Sequence, residues 1–159
     1  NRKYNTAEFL ACVERLRRYF PGCALTADMI TGFPGETEAD QAAAVAFLEQ
    51  VGFAAVHVFP YSRRPGTKAD AMPEQLSHAV KSARAHEAQR VADACKQRYL
   101  VQQVGQTLPV LFETEHDGSW VGHSDNYCLV RAAGDDLRGL VKNVKISAVS
   151  GQMLVGDLV

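Results

Sequence analysis

Apolar positions recur first at helical spacing. Phe9, Val13, Leu16 and Phe20 fall on one helix face, with Arg15, Arg17 and Arg18 flanking it. Asn5 or Thr6 can cap that helix, Asn5 with Glu8 three residues on as a capping-box pattern, and Pro21-Gly22 ends it. Ala24 to Ile30 reads as a buried strand with one acid, Asp28, inside it. That acid needs a hydrogen-bond partner, from the structure or from a ligand. Thr37 caps a second helix, with Asp40 in its first turn and Val45, Leu48 and either Phe47 or Val51 as its apolar face; Gly52 stops it. Ala54 to Phe59 is a second buried strand, in which His57 reads as a satisfied or helix-facing histidine; Pro60 ends it. Two apolar strands joined by a helix make a βαβ unit, so the strands are parallel and the crossover right-handed.

Residues 61–73 are a polar loop, and from Glu74 to about Val104 neither Gly nor Pro occurs. Leu76, Val80, Ala83, Val91, Ala94, Cys95 and Val101 or Val104 keep a helical period, which predicts one long helix or two with a bend. Beyond Gly105 the period changes to two. Leu108–Phe112, Trp120–His123, Tyr127–Arg131, Leu140–Ile146 and Met153–Val155 are strand candidates, with turns at Asp117-Gly118, Ser124-Asp125-Asn126 and Gly134-Asp135. Closely spaced short strands predict a small antiparallel β-barrel of OB type. The expected class is therefore α/β, with residues 1–73 as one body, 74–104 as a linker helix and 105–159 as the barrel.

The 159 residues suffice for one ordinary domain or two small ones. No apolar run reaches the roughly 20 residues that span a bilayer, and the start lacks a basic-then-apolar leader layout. It also lacks Met, so a fragment or processed chain is expected. Cys12, Cys23, Cys95 and Cys128 are far apart in sequence, with no CxxC pair. Such spacing fits buried thiols in a reducing cytoplasm better than a metal or cluster site. Net charge is −1, so bulk electrostatics do not mark a nucleic-acid binder. Residues 105–159 are net acidic: Arg131, Arg138, Lys142 and Lys145 face Glu113, Glu115, Asp117, Asp125, Asp135, Asp136 and Asp157. RNA binding there would need a local patch, with Lys142, Lys145 and Arg131 as a small basic face and Tyr127 for stacking. Trp120 reads as core.

Gly32-Phe33-Pro34-Gly35-Glu36-Thr37 lies between a strand and a helix, where α/β folds place ligands. Its glycines admit a ligand to the backbone, and the helix start offers free N–H groups. A plain βα turn capped by Thr37 explains the same residues. There is no P-loop lysine and no dinucleotide fingerprint. Tyr61-Ser62-Arg63-Arg64-Pro65-Gly66-Thr67 brings two guanidiniums and a phenol to the same rim. Paired arginines suit phosphate or carboxylate, although a solvated loop would look alike. No histidine pair has metal-ligand spacing.

Asp28-Met29-Ile30-Thr31-Gly32-Phe33-Pro34-Gly35-Glu36-Thr37 and His57-Val58-Phe59-Pro60-Tyr61-Ser62-Arg63-Arg64-Pro65-Gly66-Thr67 together resemble two motifs of the radical-SAM methylthiotransferases, in matching order and separation. Asn1-Arg2-Lys3-Tyr4 is similar to the tail of that family's Met-x-Arg-x-Tyr segment. Residues 104–159 resemble its terminal TRAM barrel, associated with RNA binding, and Gly122-His123-Ser124-Asp125-Asn126-Tyr127 is similar to the Gly-x-Ser/Thr-x-Asn-Tyr hairpin of that barrel.

The resemblance implies the C-terminal part of a partial (βα) radical-SAM barrel, a linker helix and a TRAM barrel. It implies S-adenosylmethionine beside Ile30, Gly32 and Phe33, completed by backbone around Val58, Phe59 and Tyr61, with Glu36 organising the loop. Arg63 and Arg64 become candidates for tRNA phosphates. The implied [4Fe–4S] clusters need cysteines that this chain lacks, so it should hold no metal, should be inactive alone and should need the missing N-terminal part of the same protein. A sheet cut in this way would also have an unpaired edge. Within the family the threonylcarbamoyladenosine tRNA enzyme is most similar, through Tyr61–Thr67 and Gly122–Tyr127. The isopentenyladenosine and ribosomal-protein enzymes remain alternatives, as does a non-catalytic RNA-binding module. A cytoplasmic location, away from membranes, is implied throughout.

Overall fold

The computed structural model describes residues 3–159, so the Asn1-Arg2 part of the first motif lies outside the described residues. The elements run α1 (Thr6–Tyr19), β1 (Thr26–Thr31), α2 (Glu38–Val51), β2 (Ala55–Pro60), α3 (His78–Gln103), β3 (Thr107–His116), β4 (Ser119–Ser124), β5 (Leu129–Ala133), β6 (Val141–Ser150) and β7 (Met153–Leu158). No described helix is long and apolar enough to cross a membrane. The chain forms two compact units, Asn1–Val13 with Leu25–Lys96, and Glu14–Ala24 with Gln97–Val159. The division falls inside α1 and inside α3, which is one continuous helix.

In the first unit β1 and β2 pair in parallel, with Asp28 opposite His57 and Ile30 opposite Phe59. Local chemistry sets the helix limits. Asn5 and Glu8 exchange side-chain-to-backbone hydrogen bonds at the start of α1. Thr37 and Asp40 do the same at α2, which Gly52 ends in the left-handed conformation. Val13, Leu48, Val51, Phe53, Val56, Ala88 and Ala92 form the core, and Ala27, Met29 and Val58 pack against it from the sheet. Each fully buried large side chain contributes about 1.5–3 kcal/mol.

The helices cover only one face of this sheet, which corrects the expectation of fully buried strands. Alternate residues point the other way, and Asp28, Ile30, His57 and Phe59 are exposed there. Asp28 is thus not an acid sealed in a core. His57 faces away from the helices, its ring stacked on Phe59 at 6.4 Å.

In the second unit the five predicted strands all occur, and they close into a barrel in the order β3-β4-β5-β7-β6. Val110, Phe112, Val130, Val144, Ile146 and Leu154 fill it and are fully buried, and Trp120 is buried as well. The barrel is not wholly antiparallel: β5 and β7 pair in parallel. Strand alternation cannot reveal that pairing, because the partners are joined through β6 rather than through a hairpin. Asp117 and Gly118 both take positive φ between β3 and β4, as a two-residue hairpin turn requires.

Candidate functional site

The strand ends of the first unit carry a tightly organised loop. Gly32 has φ +70, and a Cβ added there would lie 2.6 Å from Lys81 Cγ and 3.1 Å from Lys81 Cα. Only glycine lets the backbone pass so close to α3. The Gly32 N–H donates to Glu36 Oε1 at 2.9 Å, closing the loop on itself. Arg84 Nη1 donates to the same Oε1 at 2.7 Å and to the Glu36 carbonyl at 2.8 Å. Gln41 Nε2 in turn donates to the Arg84 carbonyl and to Glu87 Oε2. Glu36 thus ties the Gly32 N–H to Arg84 of α3. Arg84, Lys81 and Gln41 were not anticipated.

Phe33 and Tyr61 meet edge to face at 5.2 Å, and Lys81 Nζ lies 5.1 Å from the Tyr61 ring centre. The Tyr61 N–H donates to the Thr31 carbonyl, joining the two loops. The Tyr61 hydroxyl and Thr31 Oγ1 are buried without a hydrogen-bond partner among the described residues. On the open sheet face Ile30 is 57% and Phe59 51% exposed. Val58 points the other way, into the helix-covered core, so only its backbone can face a ligand.

Two expectations change. The start of α2 offers fewer free N–H groups than supposed, because the Thr37 N–H donates to Asp40 Oδ2 at 2.9 Å and the Asp40 N–H to Thr37 Oγ1 at 3.1 Å. The Thr37 hydroxyl and N–H hold the Asp40 carboxyl below the usual carboxylate range, leaving a negative charge where an anion would otherwise settle. The two arginines are also not equivalent. Arg63 Nε donates to Asp70 Oδ1 at 2.7 Å and Nη2 to the Asp70 carbonyl at 3.0 Å, whereas Arg64 stays exposed.

In the barrel unit, Ser124 and Asn126 build the turn before β5. Ser124 Oγ bonds Asn126 Oδ1 and the Cys128 carbonyl, and accepts the Cys128 N–H. Asn126 Nδ2 donates to Tyr99 Oη at 3.0 Å and Gln103 Oε1 at 3.1 Å on α3. Tyr99 donates to the Gly22 carbonyl, and burial pushes its phenol up to about 12. Tyr127 follows, 84% exposed.

The residues of the expected basic face lie on two strands, Arg131 on β5 and Lys142 and Lys145 on β6. Lys145 stands opposite Asp157 of β7 and donates to the Gly105 carbonyl at 2.5 Å. Lys142 stands opposite Val110 of β3. Arg131 lies on β5 beyond the intervening β7, with its Nε buried and unpaired among the described residues. In the barrel order one strand, β7, stands between β5 and β6.

Among the described residues no group of three His, Cys, Asp or Glu could hold a metal. Cys12 is exposed, Cys23 half-buried, and Cys95 and Cys128 buried, with no disulfide between them. These residues do not fit a cluster. The open sheet face offers apolar surface at Ile30 and Phe59, while the space a Cβ would take at Gly32 is filled by Lys81 of α3.

No family model matches the chain. It is 36% identical over 151 residues, 91% of its length, to the threonylcarbamoyladenosine tRNA methylthiotransferase MtaB of Bacillus subtilis, and spans 34% of that protein. It is 39% identical over 161 residues, 99% of its length, to the tRNA-2-methylthio-N(6)-dimethylallyladenosine synthase of Maricaulis maris, and spans 35% of it. The corresponding synthase of Nitratidesulfovibrio vulgaris is 36% identical over 165 residues, and the chain spans 37% of it. The chain thus covers about a third of the length of these curated relatives.

Proposed function

Given that this chain belongs to the radical-SAM methylthiotransferases, we propose that it supplies the S-adenosylmethionine-facing loops and the RNA-binding barrel of an enzyme that methylthiolates tRNA. The observation that carries this reading is the loop geometry. Gly32, fixed by Glu36, and Tyr61, packed on Phe33, flank an open face carrying Ile30 and Phe59 at the C-terminal end of parallel strands. Ile30 and Phe59 would pack on the adenosyl part of the cofactor, while Gly32 and the backbone near Val58 approach it closely. Phe33 would shield the rim from water.

In the whole enzyme, S-adenosylmethionine bound here beside a [4Fe–4S] cluster would supply a radical that abstracts a hydrogen atom from an unactivated C–H bond. Arg64 would meet a tRNA phosphate. Arg63 would do so only by giving up Asp70. Residues 105–159 are read as an OB-like TRAM barrel whose outer surface, with Tyr127, Arg131, Lys142 and Lys145 as candidates, contacts tRNA. A cytoplasmic site of action follows from that substrate.

The favoured target is N6-threonylcarbamoyladenosine beside the anticodon, supported by the Tyr61–Thr67 and Gly122–Tyr127 motifs and by the Bacillus relative. A dimethylallyladenosine target is the second reading, supported by the 39% identity to the Maricaulis synthase. Mass spectrometry of tRNA nucleosides after disruption of the gene separates them. The first predicts loss of the methylthio form of threonylcarbamoyladenosine, and the second loss of methylthio-dimethylallyladenosine. An unchanged nucleoside profile would refute both.

A further inference from the structure

We infer that Tyr127 and His123, with Glu113 behind the imidazole, form a stacking site for a single unpaired RNA base on the barrel. The inference rests on the reading that this barrel meets tRNA, and adds what part of the RNA it takes and where.

The fold gives Tyr127 no evident reason to be aromatic. Its ring is 84% exposed, so it buries little. Its backbone sits at φ +63, a conformation that is costly for a bulky residue and free for glycine. The turn is held by its neighbours instead: the Tyr127 N–H donates to the Ser124 carbonyl at 2.9 Å, and Asn126 is anchored on Tyr99 and Gln103. Strain kept at an exposed aromatic points to a binding role.

The surroundings specify the ligand. The His123 ring lies 5.5 Å from the Tyr127 ring, tilted by 41°. Glu113 Oε2 is 2.6 Å from His123 Nδ1 and positions the imidazole from the adjacent strand. Two neighbouring rings, one of them almost wholly in water, present π surface to a flat apolar partner. The carboxylate of Glu113 and the nearby Asp125 disfavour a phosphate at the same spot. A base displayed from a single strand satisfies both conditions, whereas a paired base hides its faces.

The test measures binding of a fluorescent single-stranded RNA heptamer and its duplex to this whole chain by anisotropy at fixed salt. Unaltered chain, Tyr127→Gly and Tyr127→Phe are compared, with melting temperature recorded for each. Tyr127→Gly should melt no lower than the unaltered chain yet bind single strands about 5- to 150-fold more weakly, the loss expected for one stacked base. Tyr127→Phe should bind nearly as well as the unaltered chain, and the duplex should bind poorly to all three. Undiminished binding by Tyr127→Gly would overturn this site while leaving the barrel as an RNA binder. No binding by the unaltered chain would overturn the site and the RNA reading together.

Discussion

One guanidinium nitrogen of Arg84 donates to both the carboxylate and the backbone carbonyl of Glu36, at 2.7 and 2.8 Å, from 48 residues further along the chain. The same carboxylate oxygen receives the Gly32 N–H. Both side chains are mostly buried, so the pair is screened little and leaves a costly orphan when broken.

Replacing Glu36 with Ala should therefore destabilise the chain by about 3–5 kcal/mol, read from urea unfolding. Glu36→Gln keeps an acceptor for Gly32 and should lose less. Equal stability of Glu36→Ala and the unaltered chain would show that the pair holds nothing.

Gly32 and Gly66 both have positive φ, but only Gly32 has α3 against it. A Cβ at Gly66 meets nothing within 4 Å. Gly66→Ala should cost only the backbone term, about 1–2 kcal/mol. Gly32→Ala adds overpacking on Lys81, about 1–3 kcal/mol more. Parallel denaturation of the two variants checks the difference.

How much of this could be read from sequence depended on range. Caps at Asn5 and Thr37, the stop at Gly52 and the turn at Asp117-Gly118 depend on neighbours a few residues away, and all appear where the residues indicate. Which face of β1 and β2 is covered depends on how many helices pack on them, and an apolar run does not record that. Ile30 and Phe59 are apolar yet exposed for this reason. The loop motif itself was legible, whereas its support by Arg84 and Lys81 was not, since no spacing rule links residues so far apart. The parallel β5–β7 pairing escaped for the same reason, and with it the true separation of Arg131 from Lys145.

Tyr99 gives a pH prediction. Its phenol is pushed from an ordinary value of 10.0 up to about 12 by burial. Below 10 both folded and unfolded chains hold the proton. Between 10 and 12 the unfolded chain releases it first, so stability falls as pH rises through that window. Tyr99→Phe should lower stability at neutral pH by about 1–3 kcal/mol, through lost bonds to Gly22 and Asn126. It should also flatten the decline between pH 10 and 12. An unchanged alkaline slope in the Phe variant would contradict the assignment.

The most direct test of the central claim is anaerobic reductive cleavage of S-adenosylmethionine to 5′-deoxyadenosine by the whole protein encoded by the gene, reconstituted with iron and sulfide and supplied with dithionite as electron donor. The unaltered protein should cleave it. Ile30→Asp, which puts a charge on the open face, should raise the KM for S-adenosylmethionine by about tenfold or more at unchanged iron content. A fully iron-loaded protein that releases no 5′-deoxyadenosine, or an Ile30→Asp variant with unaltered KM, would contradict the account.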